Sequence, residues 1–264
     1  MLGGVDRIAC EDTRQTQKLL NHFAITAPTI SCHEHNEEAR ARELVEELKA
    51  GARIAVVSDA GMPGISDPGS RLVAAAIAAG VAVIPIPGAN AALSALVASG
   101  LSTAEFAFLG FLPEKAGARR SRLEELAEEA QDGARRTLIF YEAPHRIVET
   151  LADMEAVWGA GTKIVVAREL TKLHEEILRG SVGEVRRELE SRERVRGEIT
   201  LVVELHAEQE AIATTEKLVD RVARIQLGAG IDEKEALKRL ARESGKSKSE
   251  LYRELQRERA RRSS

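Results

Sequence analysis

The sequence predicts an α/β fold with a helical C-terminal appendage. Short apolar runs alternate with longer amphipathic stretches up to about residue 205, two Gly/Pro-rich loops each follow a strand-like run, and only helical patterns remain after His206. The expected strands are Val5–Cys10, Thr29–Cys32, Arg53–Ser58, Val81–Ile86, Phe106–Gly110, Thr137–Tyr141, Lys163–Ala167 and Glu198–Leu205. Between them, helical periodicity covers Thr13–His22, Asn36–Ala50, Ser70–Ala79, Ala89–Ser99, Arg119–Glu129 and His145–Trp158. In the second of these, Ala41, Leu44, Val45 and Leu48 repeat at the 3.6-residue period, with carboxylates on the opposite face. Two parallel-rich sheets fit this alternation better than one. The boundary between them is expected near Gly110–Gly117, giving domains at 1–112 and 113–207.

The appendage, 213–260, is expected to hold helices at Thr214–Gln226, Asp232–Ser244 and Lys248 to about Arg259. A short turn carrying Gly245 makes the last two resemble a helix-turn-helix. Residues 236–264 hold ten Lys or Arg against four Glu, although the whole chain carries 38 basic and 42 acidic residues, a net charge of −4. A basic coat over the entire surface is excluded; a local basic tail facing nucleic acid or the ribosome is expected.

Composition narrows the class further. At 264 residues the length suggests two domains on a prior of ~150 residues each. Hydrophobic residues make up 44% and charged residues 30%, which excludes a wholly disordered chain. The two cysteines, Cys10 and Cys32, form no CxxC pair and are too few for a disulfide framework, so a reducing, cytoplasmic compartment is expected. The uncharged stretch between Arg71 and Glu105 is interrupted by Gly80, Pro85, Pro87 and Gly88, leaving pieces shorter than the ~20 apolar residues a membrane span needs. No signal peptide is read in MLGGVDRIACEDTR, which has acids at Asp6 and Glu11 and no long apolar core.

Chemistry concentrates in the loops. After the strand ending at Ser58, the eleven residues Asp59–Gly69 are rich in Asp, Gly and Pro, whereas an ordinary βα turn takes ~2–6 residues. Small residues at a strand tip let a ligand approach the backbone. The segment Ile86-Pro-Gly-Ala-Asn-Ala-Ala-Leu93 repeats the strand–Pro-Gly–helix arrangement, so the two loops are expected to share one cleft. Polar groups also follow other strands, in Glu11-Asp12-Thr13-Arg14, Cys32-His33-Glu34-His35 and Tyr141-Glu142-Ala143-Pro144-His145-Arg146. Asp12 or Thr13 also reads as a simple helix cap. His33 and His35 share a face only in extended chain and would need a third ligand to hold a metal, so no metal is expected.

Taken together, the blocks ACEDTR (9–14), CHEHNE (32–37), SDAGMPGISDPG (58–69), PIPGANAALSAL (85–96), FLGFLP (108–113), FYEAPHRI (140–147), ARELTKLHEE (167–176) and RGEITLVVE (196–204) resemble the ribosomal RNA small subunit methyltransferase I family, a tetrapyrrole methylase-like branch of S-adenosylmethionine-dependent enzymes. The resemblance implies two α/β domains of the tetrapyrrole methylase type, the donor in the cleft between them, and a homodimer. It implies 2′-O-methylation of a decoding-centre cytidine in 16S ribosomal RNA within the small subunit. Carried over by motif, the donor would be lined by Asp59, Ala60, Gly61, Pro63, Ser66, Asp67, Pro87, Gly88 and Ala89, with Tyr141, Glu169 and Thr200 closing over it.

Family members open with a further strand and loop before ACEDTR. This chain begins at Met1-Leu2-Gly3-Gly4, so the first strand is expected to be missing and a sheet edge exposed. Glu11, Asp12, His33 and His35 are the candidate bases for the hydroxyl proton. Arg14, Arg146, Arg168, Lys246, Lys248 and Arg253 are the expected phosphate contacts. Two alternatives accompany this reading: a tetrapyrrole or protein methyltransferase of the same fold, and a catalytically impaired, truncated RNA-binding remnant.

Overall fold

The computed structural model describes residues 1–130, 136–205, 222, 225–226, 232–244, 251–253 and 255–256. The chain divides into one unit spanning Met1–Ala207 and a second spanning Glu208–Ser264.

The first unit opens with β1 (Arg7–Cys10), α1 (Thr13–His22), β2 (Thr29–Ser31), α2 (Glu37–Lys49), β3 (Ile54–Val57), α3 (Ser70–Ala78) and α4 (Ala91–Ser99). The three strands form a parallel sheet in the order β2-β1-β3, with Ala9 opposite both Ile30 and Val56. Helix α2 buries Ala41, Leu44 and Val45, the stripe its periodicity predicts, against Leu72 of α3 and the sheet. Asp12 starts α1 as its N-cap, accepting from the Arg14 backbone N–H at 2.8 Å.

One expected strand is absent. Residues 81–86 have β-rich composition but no ladder partner, and Val83, Ile84 and Ile86 are exposed by 42%, 77% and 52%. A strand exists only where another backbone offers its hydrogen bonds. Among the described residues β3 ends the sheet without reaching this segment.

A second, five-stranded sheet follows: β4 (Phe106–Phe111), α5 (Ala116–Glu129), β5 (Arg136–Glu142), α6 (Ile147–Trp158), β6 (Lys163–Arg168), β7 (Glu176–Ser181), α7 (Val182–Glu190) and β8 (Ile199–Leu205). Its order is β4-β5-β8-β6-β7, and only the β4–β5 pair is parallel. This corrects the expectation of two parallel-rich sheets. The last strand returns antiparallel between β5 and β6, which run in the same direction but no longer touch as neighbours. Strand β7 and helix α7 escape the periodicity reading because Glu-Ile-Leu-Arg-Gly-Ser alternates poorly. A Ser181–Glu184 capping box nevertheless marks the start of α7.

One face of this sheet carries the larger core. Phe140, Leu201, Val203, Ile164 and Val166 pack there with Leu123, Leu151, Met154 and Val185 from the helices, and Trp158 donates to the Leu123 carbonyl at 2.9 Å. On the other face Ile139, Val165 and Val202 pack against Ala92, Ala95 and Leu96 of α4. Helix α4 therefore joins the loop preceding it to the second sheet.

The second unit contains α8 (Glu233–Ser244), whose Ala236, Leu237 and Leu240 cluster with Val222, Leu251 and Leu255. Most of the expected helix 214–226 and the turn at 245–250 lie outside the described residues. Among the described residues no helix is long and apolar enough to cross a membrane.

Arg119 is only 2% exposed, yet it is charged; its Nε lies 2.7 Å from Asp153 Oδ2, and Arg120 reaches Asp153 Oδ1 at 2.6 Å. Burial opposes ionisation of Asp153, but the two guanidinium groups outweigh it and lower the carboxyl's pKa. Asp153→Ala would remove the buried carboxylate and leave Arg119 with only the Glu114 carbonyl at 3.0 Å and the exposed Glu149 at 3.9 Å. We expect a loss of ~3–5 kcal/mol in urea unfolding; a loss below ~1 kcal/mol would show that water reaches Arg119.

Candidate active site

The long loop 58–69 holds its shape through unusual backbone. Ser66 sits at φ 58°, a left-handed conformation that costs a non-glycine residue ~1–2 kcal/mol. Gly69 has φ 131°, and a methyl group there would lie 3.2 Å from Val56 Cγ1, so the close approach to β3 requires glycine. Gly69 is also the N-cap of α3 and has no side chain to cap it. The buried carboxylate of Glu37, at the start of α2, supplies the cap instead. Its Oε1 accepts from the backbone N–H groups of Gly69 and Arg71, each at 2.8 Å.

Contacts inside the first unit bring this loop to three others. A methyl group on Gly61 would lie 3.8 Å from the Ala89 carbonyl oxygen, and one on Gly110 in β4 would lie 3.4 Å from Ser66 Oγ. The Ser58 hydroxyl at the head of the loop donates to the Ala60 and Gly61 carbonyls at 3.2 and 3.4 Å, and Asp67 is half-buried. Burial first, then the negative charges of Glu11, Asp59 and Glu198, push its pKa up to about 6. Tyr141 on β5 packs against the cluster that contains Ala92, and burial raises its phenol pKa. The tips of β1, β3 and β5, the entry to β8 and the N-terminus of α4 thus meet around Asp67. Strand tips of this kind are where open α/β sheets bind ligands.

The structure places the remaining expected residues unevenly. Asp59, Ala60, Gly61 and Ser66 are exposed along the loop and Pro63 is half-buried, while Pro87, Gly88 and Ala89 are exposed opposite them. Glu11 joins the carboxylate cluster. Asp12 is the α1 cap, and hydrogen bonds from Arg14 lower its pKa. His33 and His35 stack edge to face with ring centroids 6.0 Å apart, and His33 Nε2 lies 3.3 Å from Asn36 Nδ2. No interaction ties them to Asp67 among the described residues. No cluster of three or more His, Cys, Asp or Glu suited to a metal occurs there either. Thr200 is 3% exposed within β8, which gives it little surface for a ligand.

Glu169 is a clamp. At φ 52° it turns back so that Oε1 accepts from Glu198 N at 2.9 Å and from Lys172 Nζ at 3.0 Å. The bond from the Glu198 backbone is the main cause of its lowered pKa. Gly197 makes this possible, since a methyl group there would come within 2.3 Å of Glu169 Cγ.

Two of the expected RNA contacts are engaged elsewhere. Arg146 is 9% exposed, pairs with Glu142 and donates to the Leu112 carbonyl at 3.0 Å. Arg168 lies 3.0 Å from both Glu176 Oε2 and the Arg196 carbonyl. Arg14 stays exposed beside its own cap, and Arg253 is exposed in the second unit; Lys246 and Lys248 lie outside the described residues.

The family model described as Tetrapyrrole (Corrin/Porphyrin) Methylases matches residues 1–186. A protein from Halalkalibacterium halodurans named ribosomal RNA small subunit methyltransferase I is 46% identical over 94% of this chain and 84% of its own length. The chain belongs to the ribosomal RNA small subunit methyltransferase I family. A protein of the same name from Synechocystis is 44% identical over 94% of this chain and 87% of its own. Among solved structures, a uroporphyrin-III C-methyl transferase from Thermus thermophilus, complexed with S-adenosyl homocysteine, superposes with a TM-score of 0.50 at 16% identity. The match covers 76% of this chain and 86% of that one, a likeness of fold.

The raised pKa of Asp67 has a testable signature. Its pKa of about 6 in the folded chain exceeds the ordinary 3.8, so folding favours its protonated form. That contribution to stability is fully present below the ordinary value and is lost as pH rises through the folded one. Asp67→Asn should therefore raise the melting temperature near neutral pH and leave it unchanged in acid. Equal melting curves at both pH values would show that the carboxyl carries no such strain.

Proposed function

We propose that this chain transfers a methyl group from S-adenosylmethionine to the 2′-hydroxyl of a decoding-centre cytidine in 16S ribosomal RNA. One observation carries the reading: two loops of small residues, 58–69 and 86–89, adjoin a carboxylate cluster of Glu11, Asp59, Asp67 and Glu198 in a chain of this family. S-adenosylmethionine when bound supplies an electrophilic methyl group on a positively charged sulfonium.

The residues present fit such a group. A cation with a flat base suits a negatively charged recess walled by exposed backbone. Asp59, Ala60, Gly61, Pro63 and Ser66 would hold it from one side, and Pro87, Gly88 and Ala89 from the other. Tyr141 and the Glu169 clamp support the β5 and β8 ends of the recess. The protein's task is then alignment of the hydroxyl with the methyl group, an effect able to supply ~7–11 kcal/mol of the barrier.

A ribose hydroxyl is a poor nucleophile, so a base that takes its proton adds ~10²–10⁴-fold. Asp67 suits this role. Its pKa of about 6 leaves it ionised at neutral pH, yet more basic than an ordinary carboxylate.

Two measurements test the reading. Calorimetric titration with S-adenosylmethionine should show saturable binding, and the chain should move label from the donor to unmethylated small ribosomal subunits as an alkali-stable 2′-O-methylcytidine. Label on a base, or no label despite donor binding, would overturn the proposed substrate atom. Wild-type kcat/KM should fall about tenfold per pH unit below about pH 6. Asp67→Asn should lose ~10²–10⁴-fold and the acid limb with it; a retained limb would assign the base elsewhere.

A further inference from the structure

A recess lined by carboxylates attracts a cation and repels a polyanion. If the substrate is RNA, its phosphates need a basic surface outside the recess. One such surface adjoins it. A cavity of about 600 Å³ lies between the start of α6 and the segment linking α7 to β8, lined by His145, Val148, Leu189, Arg192, Arg194 and Arg196 among others.

Its charges differ in how far they are engaged. Arg192 is held by Glu176 Oε1 and Oε2 at 2.7 Å and by Glu188 at 2.9 Å, and Glu176 is driven down to a pKa of about 2 chiefly by Arg192. Glu190 is paired with Arg186. Arg194 and Arg196 are exposed, and neither side chain makes a hydrogen bond or ion pair among the described residues. Between them Val195 packs on the main core, so the two guanidinium groups lie outward on either side of an anchored residue. Exposed Glu193 is the one other charge on this stretch of the rim.

The backbone beneath is fixed. The Arg196 carbonyl accepts from Arg168, and two residues later the Glu198 N–H is held by Glu169. Arg196 therefore lies within ~7 Å of Glu198 along the chain, two residues from that carboxylate of the recess. Guanidinium groups on a rigid backbone, with no internal partner, lose little freedom when they grip a phosphate in bidentate fashion.

We propose that this groove holds the phosphate backbone of the RNA strand flanking the methylated nucleotide, with Arg194 and Arg196 as its phosphate contacts. The proposal rests on the reading of the substrate as RNA. Binding of unmethylated small ribosomal subunits is measured over a series of potassium chloride concentrations for the wild-type chain, the double variant Arg194→Ala/Arg196→Ala, and Glu193→Gln. Because Arg196 acts internally only through its carbonyl, the double variant keeps that bond, and an unchanged calorimetric titration with S-adenosyl homocysteine confirms its fold.

The double variant should bind about tenfold or more weakly, and its salt slope should fall by about 1.4, at ~0.7 per phosphate on a single strand. Glu193→Gln should bind more tightly, an effect in the opposite sense that damage to the fold would not produce. Wild-type affinity and slope in the double variant would overturn the proposal. Weaker binding with an unchanged slope would also overturn it, assigning the groove to a ribosomal protein. A wild-type chain that binds donor but no subunits would sink the RNA reading itself and this groove's role with it.

Discussion

All seven residues of β8, Ile199–Leu205, are buried, and the five-stranded sheet depends on that strand. Among the described residues it is the only strand bonded to both β5 and β6; without it the sheet separates into a β4–β5 pair and a β6–β7 pair. Its apolar side chains serve both faces, Leu201 and Val203 in the helix-covered core and Val202 against α4. The same strand sets the position of Glu198 at its N-terminal end. Packing and chemistry are thus joined in one element: a slip in the β8 register would move a carboxylate of the recess and invert the two buried faces together.

Charge is sorted as strictly as apolar surface. The arginines nearest the second sheet are mostly internal struts: Arg119 on Asp153, Arg146 on Glu142, Arg168 and Arg192 on Glu176. The carboxylates Glu11, Asp59 and Glu198 raise the pKa of Asp67, and of these Glu198 has a counter-charge, with Lys172 Nζ at 3.1 Å. A site that leaves Glu11, Asp59 and Asp67 without a cationic partner among the described residues, while neighbouring acids are neutralised, suits an incoming cation. The two arginines left free lie outside it, which separates the charge suited to a sulfonium from the charge suited to phosphate.

Much of this was legible in the chain because loops and amphipathic helices write their patterns locally. The limits of α1 and the start of α3 match the periodicity reading, and the Asp59–Gly69 loop stood out by length and composition alone. What failed is non-local. Val81–Ile86 has the composition of a strand but no partner, and composition says nothing about partners. Strand β7 alternates weakly as an edge strand, so its pairing with β6 shows only in the fold. Arg146 and Arg168 read as free cations because the carboxylates that hold them, Glu142 and Glu176, are assigned by folding rather than by spacing. The Glu169 clamp on Glu198 spans 29 residues, a pairing that no local spacing reveals.

The cap that Glu37 places on α3 ties the end of the 58–69 loop to a distant helix. A helix normally draws its cap from the residue before it; α3 draws its own from 32 and 34 residues upstream. The end of the 58–69 loop is thereby secured only while the first turn of α2 is intact. Fraying at that turn would release the Gly69 and Arg71 amides together and leave α3 without its start. In the language of hydrogen exchange, the α2 N-terminus and the loop form one cooperative opening unit. Protection of those two amides would then report on the integrity of a helix packed on the far side of the loop's own sequence.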